Sequence, residues 1–269
     1  MDQQYRVVNL DKKQVLDPKL LGASRFWDSF AFTDSPVMGG LLWLLNGDWS
    51  GDRMAIVGNH AVETDLPEAE EVCGVPVSQL CFPTLHGHER FKNVSGKVRE
   101  ALTENYGYRF EVSSAAPDAG SARSTSLSVS LLAAGTEAMG NIIPEEESFV
   151  VINRDFGEFI HSNYFCSDPE FRWSISNPRK ESGEHSWLPT ALAVLMSTSM
   201  EHQPEFFLDD FSGEWAGGHI GIESFRTANL IGLHDASADV FTALVTNDAI
   251  DDILAPSHEE PEIEEDWTA

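Results

Sequence analysis

The chain has 269 residues, 42% of them hydrophobic and 10% aromatic, which is a globular composition and enough length for two ordinary cores. Acidic side chains number 44 against 17 basic ones, a formal charge of −27, so nucleic-acid backbones and anionic membrane surfaces are excluded as partners that bind by charge. Such a charge attracts cationic partners, namely basic protein surfaces, polyamines or metal ions, although adaptation to a salt-rich host accounts for it with no partner.

Cys73, Cys81 and Cys166 make an odd count in a chain too long to need stapling, so no disulfide is expected and a reducing, cytoplasmic compartment fits. The opening residues, Met1 to Arg6, lack a basic stretch followed by an apolar run, so no secretory signal is expected. The longest apolar stretch, Pro36 to Leu45, is ten residues, about half of a membrane span.

In chain order, residues 6–9 and 14–16 alternate around Asn9-Leu10-Asp11-Lys12-Lys13 and predict a β-hairpin. An apolar helix is expected over 37–45, then a Gly47-Asp48-Trp49-Ser50-Gly51 turn into a strand carrying Met54 and Ile56 on one face. Ser95 is expected to cap a helix whose apolar positions are Val98, Ala101 and Leu102, and a strand over 108–112 to close the unit. Residues 113–148, rich in Ser, Ala and Gly, read as a connector in which Leu127, Val129, Leu131 and Leu132 supply a possible strand.

The pattern then recurs. Phe149-Val150-Val151-Ile152-Asn153-Arg154-Asp155 matches residues 5–11 at an offset of 144, and Gly213-Glu214-Trp215-Ala216-Gly217-Gly218-His219-Ile220-Gly221-Ile222 matches 47–56 at 166. Ser237, Val240, Ala243, Leu244 and Asn247 match Ser95, Val98, Ala101, Leu102 and Asn105 at 142. Three blocks in one order predict a duplication. The second hairpin falls at 150–152 and 158–160 and the second apolar helix at 189–200, with Pro189 in its first turn. The expected fold class is α/β, with α+β as its variant: copy one over 1–112, a linker over 113–148, copy two over 149–254 and an acidic disordered tail over 255–269.

The run Val8 to Lys13, followed by Gly47-Asp48-Trp49-Ser50-Gly51-Asp52-Arg53-Met54-Ala55-Ile56-Val57-Gly58, resembles an uncharacterised protein family with an Asn-Leu-Asp-Lys-Lys start and a Gly-Arg-Trp-Ala-Gly-Asp-Arg-Ile segment. The resemblance spans about 60 residues and implies no activity. Copy two departs from it at Gly218 and His219, where copy one has Asp52 and Arg53.

Two glycines, an indole and a charged pair make Trp49, Asp52 and Arg53, with Trp215 and His219, the candidate binding residues. Against this, the Gly-x-Trp-x-Gly frame recurs without the charged pair, which favours a structural turn with Trp49 in the core. Asn9 and Asp11, repeated as Asn153 and Asp155, are a ligand pair on one reading; the favoured one makes them turn residues bonded to nearby amides. Cys73, Cys81, His86 and His88 offer thiolate and imidazole to zinc, but without a Cys-x2-Cys pair, so no cofactor is expected and zinc is the alternative. Elbow, Walker, dinucleotide and zincin signatures are missing.

Charge is uneven. Residues 5–112 hold 11 basic and 15 acidic side chains, residues 149–252 hold 5 and 17, and the tail holds six acids and no Lys or Arg. The expected function is therefore a non-catalytic acidic interaction or regulatory protein that binds a basic partner, and the alternative is a hydrolase or metal-dependent enzyme with its site between the two copies.

Overall fold

A computed structural model describes residues 4–25, 28–31, 35–66, 74, 76–77, 80, 91–106, 108–114, 125–131, 149–165, 188–198 and 211–245. The expected tail, and Cys73, Cys81, Cys166, His86 and His88, lie outside the described residues.

The N-terminal half opens with β1 (Tyr5–Asn9), β2 (Gln14–Leu16), the short α1 (Asp28–Ala31) and α2 (Pro36–Leu45), followed by β3 (Asp52–Gly58), β4 (Lys92–Asn93), α3 (Ser95–Tyr106) and β5 (Tyr108–Ser114). After β6 (Thr125–Leu131), the C-terminal half runs β7 (Phe149–Asn153), β8 (Glu158–His161), α4 (Leu188–Met196), β9 (His219–Ser224), α5 (Phe225–Leu230), β10 (His234–Asp235) and α6 (Ser237–Val245). Helices and a mixed sheet of eight strands make the fold α/β.

The sheet order is β10-β8-β7-β9-β3-β1-β2-β4, which reads the same from either edge inward: edge strand, hairpin, then central strand. In each half the central strand pairs antiparallel with the first hairpin strand, and the edge strand pairs parallel with the second. The halves are not separate bodies, because β3 and β9 pair antiparallel with Asp52 opposite Ile220 and Arg53 opposite His219. Arg53 and His219 are also the residues matched by the 166-residue offset. A pseudo-two-fold axis therefore passes between them. The surrounding bonds obey it: Gly51 N–H donates to Ile220 O and Gly217 N–H to Met54 O, both at 2.7 Å.

Alternation along the strands sends Val7, Met54, Ile56, Val151, Ile160 and Ile222 to one face, where they share a single apolar cluster with α2, α3, α4 and α6. Every residue of α4 is buried, Thr190 among them, as a helix with apolar side chains on all sides requires. The end of α4 ties the halves together, since Thr198 N–H donates to Ile56 O (2.8 Å) and Thr198 Oγ1 accepts from Gly58 N–H (3.1 Å). On the opposite face two smaller clusters form, one around Val8, Val15, Ala55 and Val57 and the other around Val150, Ile152, Phe159 and Ala228.

Three expectations are corrected. The strand at Tyr108–Ser114 does not close the first unit; it pairs with β6, within the expected connector, in a separate two-stranded sheet. The second apolar helix ends at Met196, short of residue 200, because Ser197 and Thr198 leave the helix to bond β3. Ser95 and Ser237 do not cap their own helices. Their amides donate to Asn93 Oδ1 and Asp235 Oδ1, and their hydroxyls accept from Asp17 N–H and His161 N–H, both at 2.7 Å, fastening each helix to the end of its hairpin.

The α2–α3 contact is close because Gly40 lacks a side chain: a Cβ there would stand 2.5 Å from Val98 Cγ1. Alanine is favoured over glycine inside a helix by about 1 kcal/mol, whereas overpacking a core costs about 1–3 kcal/mol. Gly40→Ala is thus expected to destabilise the protein in chemical denaturation, and Val98→Ala to cost less in that background than alone.

Candidate functional site

The site is built where the two hairpin turns meet the central strand pair. Met54 and Ile220 point into the main cluster, so their neighbours Arg53 and His219 project from the opposite face, side by side across the β3–β9 ladder. Each is held by the aspartate of its own half. Asp11 accepts from Arg53 N–H (2.7 Å), Nε (2.9 Å) and Nη2 (2.5 Å). Asp155 accepts from His219 N–H (2.9 Å), and its two oxygens lie 2.8 and 2.9 Å from His219 Nδ1. Asp11 and Asp155 are therefore equivalent clasps, one closing on a guanidinium and the other on an imidazole.

Each clasp also acts on the other. Burial raises the Asp11 carboxyl, but the hydrogen bonds and charge of Arg53, helped by His219, outweigh it and hold the group below the usual carboxylate range. Burial likewise raises Asp155, and the hydrogen bonds and charge of His219, helped by Arg53, hold it down. Carboxyls lowered in the folded state stabilise it above their unfolded value, near 3.9, and that stability is lost as pH falls through the folded value. Stability should consequently decline below about pH 4. Asp155→Asn is expected to flatten that acid limb in thermal melts across pH, whereas an unaltered limb would show that the clasp contributes nothing.

Asn9 and Asn153 behave as turn residues. Asn9 Oδ1 accepts from Lys12 N–H (2.8 Å), and Asn153 Oδ1 from Asp155 N–H (3.0 Å) and Phe156 N–H (3.4 Å). Their amide groups differ: Asn9 Nδ2 donates to Asp52 Oδ2 (2.8 Å), whereas Asn153 Nδ2, buried against Gly218, has no hydrogen-bond partner among the described residues. A Cβ at Gly218 would stand 2.7 Å from Asn153 Nδ2. The exchange of Asp52 for Gly218 is thus coupled to how each asparagine seats.

Of the sequence candidates, Arg53 and His219 come together at the axis. Asp52 lies beside them but is engaged by Asn9 and by Lys12 Nζ (2.5 Å), so the pair Asp52–Arg53 is bound into the turn. Trp49 and Trp215 are 0% and 1% exposed, which leaves no ring face for a ligand to stack on. Asp11 and Asp155, read from sequence as turn residues, complete the cluster through bonds to residues 42 and 64 positions away. Among the described residues no three His, Cys, Asp or Glu side chains are grouped to hold a metal ion, and none of their helices is long and apolar enough to cross a membrane.

Compared with protein-family models, with curated proteins and with solved structures, the chain matches none.

Proposed function

We propose that this chain is a non-catalytic acidic interaction or regulatory protein that binds a basic partner. The observation that carries this reading is the formal charge of −27, concentrated in the C-terminal half and the tail. Glu214, Asp235 and Asp239 are exposed there against the exposed bases Arg154 and Arg226. Arg154 is taken up by Glu223 at 3.2 Å. Such a field accelerates encounters with cations and is screened over about 8 Å at physiological ionic strength. Protein retained by the tagged chain at low salt should be basic, and its on-rate should fall several-fold between about 50 and 500 mM salt. Deleting residues 255–269 should slow association and leave the melting temperature unchanged. A partner that is acidic, or indifferent to salt, would overturn the reading.

One observation favours the hydrolase reading. An imidazole held at Nδ1 by a carboxylate presents Nε2 to take or give a proton, and His219 Nε2 has no hydrogen bond among the described residues. Hydrolysis of an ester, amide or phosphoester that His219→Gln abolishes at unchanged melting temperature would support it.

A further inference from the structure

We draw no further inference here: the strongest candidate, the Asn153 amide packed against the buried Gly218 at the end of β7, belongs to the site already described, and nothing among the described residues shows an opening through which an acceptor would reach it.

Discussion

Replacement of Trp215 by alanine is expected to lower the unfolding free energy by about 3–5 kcal/mol, and replacement of Trp49 by a similar amount, in the range for deleting a buried large aromatic. Both indoles belong to the shared apolar cluster. Each is set by its backbone: Trp49 N–H donates to Leu44 O and Trp215 N–H to Leu195 O, both at 2.8 Å, so the turn is hung on the end of the preceding helix. Gly51 and Gly217, at φ of 77° and 81°, then carry the chain into the central strand through a conformation that side chains resist. Trp49 has one further tie, Nε1 to Gln14 Oε1 at 2.6 Å, which Trp49→Phe would cut while keeping most of the packing. The expected order of loss in urea is therefore alanine, then phenylalanine, then the parent. Losses under about 1 kcal/mol for both alanine variants would show that the ring sites collapse without cost.

Asp17→Ala is the second change expected to be severe, at about 3–5 kcal/mol, because it strands buried positive charge. Asp17 is 3% exposed at the end of β2 and receives Arg6 Nη2 at 2.8 Å, Arg25 Nη2 at 2.7 Å and Arg25 Nε at 2.9 Å. Arg6 is itself 8% exposed, so it has little water to turn to when the carboxylate is gone. Burial raises the Asp17 carboxyl, but the Arg25 hydrogen bonds and the charges of Arg6 and Arg25 outweigh it and hold it below the ordinary range. The sign is that of Asp11 and Asp155: stability is complete above the unfolded value and is lost on acidification through the folded one. Changing Arg6 and Asp17 together to apolar residues should cost less than the sum of the single changes, as a double-mutant cycle in urea would measure. Additive losses would mean that the two side chains do not interact.

Much of the local structure is legible in the amino-acid order, since it depends on neighbours in sequence. The alternation around Asn9–Lys13 and Asn153–Gly157 specifies two hairpins, and the observed strands Tyr5–Asn9, Gln14–Leu16, Phe149–Asn153 and Glu158–His161 agree with them to within one residue at each end. The paired Gly-x-Trp-x-Gly segments announce a turn whose indole faces the core, and the β-forming residues at 127–131 announce β6. Edge strands β4 and β10, two residues long, carry too little pattern to be read.

The candidate site was legible only in its parts. Asp11, Arg53, Asp155 and His219 all stand out in sequence, but as two turn aspartates and one charged pair lacking a counterpart. What joins them is the register of β3 on β9, a backbone pairing between strands 166 positions apart with no local signal in either. That pairing makes His219 the counterpart of Arg53. It likewise joins the N-terminal and C-terminal halves in one sheet with a common core. The cover of the second face is decided in the same way, because exposure depends on which segment reaches over a face. The chain after β3 covers one half of the sheet, α5 covers the other, and the length of each cover follows from how the strands pack. Sequence determines where side chains alternate and where the backbone turns. Tertiary structure decides which of those side chains meet, because their contact energies are gained only when distant strands pair and exclude water between them.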